Sequence, residues 1–462
     1  MGYTIYIFRR DLRLFDNTTL LKISKNYPNI IPIFIFTPEQ VSKKNIFYSN
    51  NAVQFMIESL KDLDSSLKEY HSKLHIFYGD NIEILEKITK KIKVETIACN
   101  RDYTPYARAR DGKIEDFCSK KGIDFLSLED YLLCGIDTLL KKDNTPYTVF
   151  TPFKNRGYKY SVRKVNQKKD FKNLTKYNFL FSSDYPKIEN NPNLSVNGGR
   201  ENALQILKNL DKFKDYNQTR NLPSINSTRL SAYIKFGLVS IREVYWKIVS
   251  LYEKENTLLA QLYWREFYFY IAYYFPEVLK GENFNRRYDT LAWNNDKKLF
   301  KKWCDGETGY PIVDAGMREL NTTGYMHNRL RLITSNFLNR MLGMDWRLGE
   351  RYFATKLVDY DPSVNNGNWQ WIASTGVDPK PYFQRLFNPW TQGEKFDKEA
   401  LYIKKWLPDL KDIPAKDLHR WESEYSKYDL KILKYTKPIV EYKKARQESI
   451  EMYRKVVNKK SL

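Results

Sequence analysis

The sequence predicts a chain in two architectures: a doubly wound parallel α/β sheet over residues 1–134, and an all-helical unit over residues 200–462, joined by a long connector over residues 135–199. Two observations predict it. In the first part, short runs rich in β-branched and aromatic residues alternate with stretches of helical periodicity, as in strands buried on both faces and crossed over by helices. Beyond about residue 200 the periodicity is helical and no strand-like run is convincing.

The strands are expected at Tyr3 to Phe8, Ile30 to Phe36, Leu74 to Tyr78, Val94 to Cys99 and Ile123 to Leu128, all read as buried, with an amphipathic helix from Asn51 to Tyr70. Such sheets bind ligands at the carboxyl ends of their strands. Strand one runs into Arg9-Arg-Asp-Leu-Arg13 and not into a glycine-rich phosphate loop, so dinucleotide or phosphate-loop binding is unsupported. From Gly135 to Arg200 the chain is rich in Lys and Asn and broken by Pro146, Pro152, Pro186 and Pro192. A surface-crossing stretch of that length is either partly structured or functional. Gly198-Gly199 turns into helices expected at Ala203 to Leu210, Leu230 to Phe236, Ile241 to Tyr252, Leu258 to Tyr274, Ile312 to Asn321, Asn328 to Leu342 and Trp346 to Leu357. The Lys/Arg/Glu-rich segment after Tyr442 is expected to be a solvated helix without a functional tail.

With 462 residues the chain can form two or three domains with substantial cores, and 42% hydrophobic and 15% aromatic residues exclude a disordered protein. A formal charge of +22 predicts polyanionic partners, nucleic acid first and an anionic membrane surface second, although an AT-rich genome also raises lysine counts. Cys99, Cys118, Cys134 and Cys304 are scattered, which indicates neither a metal site nor a disulfide scaffold and makes a reducing compartment the default. The chain enters a strand at Tyr3 with no leader ahead of it, and no 18-residue apolar run occurs. A soluble monomer is expected, cytoplasmic or nucleoid-associated (nuclear in a eukaryote), with no membrane partner.

Candidate site residues concentrate between Asp359 and Trp371, where two carboxylates, paired amides and two indoles fall within thirteen residues. A packed core excludes such a set unless each polar group has a partner. Gly324-Tyr-Met-His-Asn-Arg-Leu-Arg331 and Gln261-Leu-Tyr-Trp-Arg-Glu-Phe267 repeat the composition on two further apparent helices. Together they point to one pocket for a large, flat, anionic ligand.

Phe8-Arg-Arg-Asp-Leu-Arg-Leu-Phe-Asp-Asn17 resembles the DNA photolyase and cryptochrome family. Ser227-Thr-Arg-Leu-Ser231, Trp264-Arg-Glu-Phe267, Gly309-Tyr-Pro-Ile-Val-Asp-Ala315, Met326-His-Asn-Arg-Leu-Arg331, Asn365-Asn-Gly-Asn-Trp-Gln-Trp371 and Thr391-Gln-Gly-Glu-Lys-Phe396 then follow in the family's order over nearly the whole chain. The resemblance is to class I photolyases for cyclobutane pyrimidine dimers, and it implies that the helical part is a FAD-binding catalytic domain. Tyr216, Ser227, Thr228, Arg229, Leu230, Ser231, Trp264 and Arg265 would bind FAD. Hydroxyls and a helix amino terminus suit a pyrophosphate, while the same Ser-Thr-Arg-Leu-Ser also reads as an ordinary helix cap. Arg331 and Asp359 would pair beside the flavin, Asp361 would hold its polar edge and Asn365 would face N5; a buried structural ion pair is the competing account of the arginine and carboxylates. Trp369, Trp346 and Trp293 match the family's electron-transfer chain, although spacing cannot show that they lie in line and most tryptophans are core.

The resemblance also implies that Gln261, Trp264, Asn328, Leu332 and Trp371 meet a flipped-out pyrimidine pair, with Arg220, Arg329 and Gln392 on the DNA. Photolyases are themselves among the recognised base flippers. Bound reduced FAD would absorb near-UV or blue light and pass one electron to the dimer, the cyclobutane ring would open, and the electron would return. Asn328 stands where plant cryptochromes carry Asp, and Asn328 and Leu332 stand where photolyases for (6-4) products carry two histidines, so a cyclobutane dimer in UV-damaged DNA is the expected substrate. Gln261 departs from the usual Glu, which shifts efficiency or lesion preference, and Asp359-Tyr-Asp-Pro362 is similar to DASH-type members; a cryptochrome-type photoreceptor is the alternative. Lys44 and Thr104 replace the His and Glu of folate-binding relatives, which disfavours folate as antenna chromophore, and Asn100-Arg-Asp-Tyr-Thr-Pro-Tyr-Ala107 is compatible with deazaflavin or with no antenna.

Overall fold

The computed structural model describes residues 2–167, 171–253 and 255–458. Strands β1 (Tyr3–Ile7), β2 (Ile30–Phe36), β3 (His75–Tyr78), β4 (Val94–Asn100) and β5 (Asp124–Leu128) form one parallel sheet in the order β3-β2-β1-β4-β5. Side chains alternate across the pleat. Ile5, Ile7, Ile31, Ile33 and Ile35 therefore join Ile84, Ile114 and Phe117 of the helices Asn81–Thr89 and Pro105–Lys121. Tyr6, Phe8, Phe34 and Phe36 point the other way, toward Leu20, Phe55 and Leu63 of the helices Thr18–Asn26 and Asn50–Lys68. The second core does not end at the sheet. It runs on through Tyr233, Phe236, Leu262 and Phe267, so one apolar cluster joins the sheet to the helical half.

Two expectations are corrected. β5 was expected to be buried, yet its residues are exposed or half-buried, because it is an edge strand with β4 as its one neighbour. The helix Tyr442–Asn458 is docked and not merely solvated. Ala445, Ser449, Tyr453 and Val456 form a narrow buried stripe, and Tyr453 stacks on Tyr382 and donates its hydroxyl to the Ala373 carbonyl at 2.6 Å. Charged residues on the remaining faces hide that stripe in the composition. Residues 459–462 lie outside the described part.

The connector is partly structured. It contains a helix at Phe150–Tyr158, and Leu174 bridges Ile30 at the start of β2 while Phe171, Leu174 and Phe179 are buried against the sheet. In the helical half the expected helices appear within a few residues of their predicted ends, and the stretch after Asn336 continues as a π-helical turn, Phe337–Met341. Helices Thr257–Tyr274 and Pro362–Ala373 approach closely because position 367 is glycine: a Cβ there would lie 2.1 Å from Tyr268 Cδ1. No helix among the described residues is long and apolar enough to cross a membrane.

Candidate cofactor and nucleic-acid site

Three helix starts build the site, each capped by a polar side chain, and two of the caps, His327 and Asp361, belong to the motif their helix carries. Asn256 accepts from the Leu259 N–H at 2.8 Å and starts Thr257–Tyr274. His327 Nδ1 accepts from the Arg329 N–H at 3.1 Å and starts Asn328–Asn336. Asp361 accepts from Ser363 and Val364 at 3.0 and 3.2 Å, with Pro362 as the first helical residue. With the segments around Tyr216 and Ser227–Lys235 they enclose a cavity of about 450 Å³, within the range of small-molecule sites.

Tyr216, Ser227, Thr228, Arg229, Leu230, Ser231, Arg265, Arg331, Asp359, Asp361 and Asn365 all line it. So do Arg220, Gln261, Trp264, Asn328, Leu332, Trp369 and Trp371. The expected cofactor set and the expected lesion set thus share one space. Arg329 and Gln392 lie outside the lining; the Arg329 guanidinium sits 4.3 Å over the Phe396 ring and donates to Asn221 Oδ1 at 2.6 Å.

Five cations of the lining (Arg220, Arg229, Lys235, Arg265 and Arg331) face two carboxylates, Asp359 and Asp361. Both carboxylates are already paired. Arg331 donates to Asp359 at 2.9 and 3.1 Å, and the Ser231 hydroxyl donates to the same group at 2.6 Å. Asp361 pairs with Arg10, which reaches across from the end of β1, also meets Asp102 at 3.4 Å and lies 4.2 Å over the Tyr131 ring. Of the cations after β1, Arg10 is thus engaged with the helical half, while Arg9 pairs with Asp111 and Arg13 with Asp130 of the α/β part. Burial, reinforced by Arg10, pushes the Lys235 ammonium down to about 7. Burial and three nearby arginines likewise hold His327 down to about 4, neutral as its capping role requires.

The cavity suits an extended anionic molecule. Arg229 sits at a left-handed φ of 52°, its Nε is buried without a partner, and the Ser227, Thr228 and Ser231 side chains stand beside it on the lining. The Arg229 Nε is a charged donor in excess of protein acceptors, as a pyrophosphate needs, while Ser231 is engaged with Asp359 and Ser227 with Tyr325 at 2.8 Å. The structure also lines the cavity with Tyr131, Lys235, Tyr268, Tyr325 and His327. His327 and Tyr325 stood inside a motif already singled out; Lys235 and Tyr268 carried no local signal.

Trp369 is 2% exposed, and its ring meets Phe353 edge-on at 4.9 Å. Trp346 is fully buried with its Nε1 donating to Asn283 Oδ1 at 2.9 Å, while Trp293 is half-buried against Tyr453. Asn294, next to Trp293, bridges Met344, two residues before Trp346.

Fold and site define a protein with an α/β sheet, a helical half and one cavity lined by five cations and the indoles of Trp264, Trp369 and Trp371. Family models agree in order along the chain: DNA photolyase matches residues 4–169, and the FAD binding domain of DNA photolyase matches residues 258–455. The chain belongs to the DNA photolyase family. A relative from Alkalihalophilus pseudofirmus named deoxyribodipyrimidine photo-lyase is 36% identical, over 97% of each chain. An archaeal photolyase from Sulfolobus tokodaii, solved with two FAD molecules, superposes with a TM-score of 0.85 at 41% identity, over 98% of this chain and 99% of its own. A cryptochrome from Synechocystis sp. superposes at 0.86 with 27% identity, over 97% of this chain and 99% of its own.

Proposed function

We propose that this chain is a deoxyribodipyrimidine photo-lyase that uses FAD and light to split cyclobutane pyrimidine dimers in DNA. The observation that carries the reading is the single cavity, whose lining holds both the cofactor set and the two indoles of the opening. When bound, reduced FAD would supply the photochemistry, a light-driven one-electron loan that opens the two cyclobutane carbon–carbon bonds with no net redox change. Ser227, Thr228, Arg229 and Ser231 would hold its pyrophosphate, and Arg331, locked by Asp359, would keep a fixed positive charge beside its ring. Asp361, Asn365, Tyr216, Leu230 and Arg265 complete the enclosure. Trp264 and Trp371 take the extruded bases between their rings, with Gln261, Asn328 and Leu332 beside them, and Arg220, Arg329 and Gln392 bear on the DNA strand.

The same reading divides the chain into an antenna domain to residue 134, a connector to 199 and a catalytic domain from 200. It makes the protein a monomer that works at the nucleoid, in keeping with a charge of +22. For a second chromophore folate is disfavoured: Lys44 is exposed, and the Thr104 hydroxyl is engaged in capping the Pro105–Lys121 helix, accepting from Ala107 at 3.2 Å. Deazaflavin or a second flavin, as in the Sulfolobus tokodaii structure, is the alternative that extraction and an absorption spectrum would identify.

Blue light on the reduced protein mixed with dimer-containing DNA should restore intact thymines. A protein that stays colourless and refuses added FAD, or that binds FAD yet leaves the dimers unchanged, ends the reading; the second result would make it a photoreceptor. Gln261, whose amide donates to the Thr257 carbonyl at 3.0 Å, can neither carry charge nor supply a proton. Gln261→Glu is therefore expected to raise repair yield in the same assay, and an unchanged yield would show that this position does not limit repair.

A further inference from the structure

We propose that Asp378 is a positioning residue that holds Trp264 and Trp371 as the two walls of one slot; this rests on the reading above that the indoles receive extruded bases. Asp378 lies in the loop after the Pro362–Ala373 helix at a left-handed φ of 53°. From that position its backbone and its carboxylate reach two different segments.

Toward the connector, the Asp378 N–H donates to the Thr148 carbonyl at 2.9 Å and Oδ1 accepts from the Phe150 N–H at 3.3 Å. Phe150 in turn lies flat on Trp264, with ring centroids 3.6 Å apart and planes 8° from parallel. Toward the other wall, Oδ2 accepts from Trp371 Nε1 at 3.4 Å, and the Asp378 carbonyl accepts from Arg385. The Arg385 guanidinium sits 3.9 Å over the Trp371 ring and also donates to the Trp371 carbonyl at 2.6 Å. Each indole is thus backed on one face by a side chain, Phe150 or Arg385, that is fastened to the same aspartate. Both indoles line the cavity, so the walls of the opening share one anchor although their sequence positions are 107 apart, from 264 to 371.

Such an anchor matters for binding more than for folding. Stacking an unpaired base on an aromatic ring depends on the ring being already in place, because a wall that must first be ordered loses part of what the contact supplies. Undamaged DNA, held through phosphates, does not depend on the slot.

The test uses the FAD-loaded full chain and two oligonucleotides of one sequence, with and without a thymine dimer. Asp378→Gly removes the carboxylate while keeping the left-handed backbone at no steric cost; Asp378→Asn keeps one acceptor and tolerates the same φ. We expect Asp378→Gly to weaken binding of the dimer-containing strand about tenfold, Asp378→Asn about threefold, and both to leave undamaged DNA within about twofold. Asp378→Gly combined with Trp371→Ala should lose less than the two single losses added together, because with Trp371 gone the aspartate has only the Trp264 wall left to hold. Equal losses on both DNAs, additive losses in the double variant, or a lowered melting temperature with the dimer preference intact would overturn the inference. Should Trp371→Ala itself leave the dimer preference intact, the reading of the opening falls instead.

Discussion

Replacing Asp130 with alanine is expected to lower folding stability by about 3–5 kcal/mol, the cost of breaking a buried ion network at one member. Asp130 follows β5 and accepts from Arg13 Nη2 at 2.5 Å, from Arg242 Nη2 at 2.7 Å, and from the Thr18 N–H and hydroxyl at 3.0 and 2.7 Å. Arg13 comes from the segment after β1, and Arg242 from the helix Ile241–Leu251, so the network fastens the sheet to the helical half. The charged side chains of Arg13, Asp16, Asp130 and Arg242 are at most 4% exposed. Without Asp130, Arg242 keeps Asp16 at 2.8 Å but Arg13 is left with carbonyls alone. Urea unfolding would measure the loss, and a value under about 1 kcal/mol would show that the network is ornamental to stability. Acid provides a second check. Burial opposes ionisation of Asp130, but Arg13 and Arg242 outweigh it and hold the carboxyl well below its usual range. A depressed carboxylate pKa stabilises the fold above the ordinary value near 4 and loses that contribution as pH falls toward the folded value. Native and Asp130→Ala stabilities should therefore differ by a constant amount from neutral pH to about 5 and converge progressively below it.

The same network shows which part of the structure was legible in the sequence. Strand positions were, because β-branched runs report burial on both sides of a sheet, and β2 falls on its predicted span, Ile30–Phe36. The edge character of β5 was not, since strand order is set by crossovers and not by local pattern. Site helices were legible where indoles, amides and arginines recur at helical spacing, and the Arg331–Asp359 pair was expected and is formed. The partner of Asp361 was not: Arg10 stands 351 residues earlier, on the other architecture. Lys235 and Tyr268 line the cavity without any motif of their own, and Asp378 meets Thr148 and Phe150 of a connector expected to be partly structured or functional that carries no sign of that contact. Local patterns fix which side chains a helix presents; only the docking of the two halves fixes what those side chains meet.

Packing within the helical half sets the spacing of the buried indoles, and Gly349→Ala should expose it. A Cβ at position 349 would lie 2.1 Å from Trp369 Cη2, 2.4 Å from Cζ3 and 2.6 Å from Leu338 Cδ2, so the Trp369 ring must move or the Trp346–Lys356 helix must retreat. Overpacking of this kind costs about 1–3 kcal/mol, which a lowered melting temperature would report. The functional consequence is more specific. Gly349 lies three residues after Trp346, about 4.5 Å along one helix, so the absent side chain is what lets Trp369 rest against the helix that carries Trp346. If electrons reach the cavity through Trp293, Trp346 and Trp369, Gly349→Ala should slow light-driven reduction of oxidised FAD, whereas enzyme reduced chemically beforehand should retain most of its repair. Trp346→Phe, which removes the relay indole without crowding Trp369, should abolish the same photoreduction. Normal photoreduction in both variants would break the link between this packing and electron supply, leaving Gly349 a purely structural glycine.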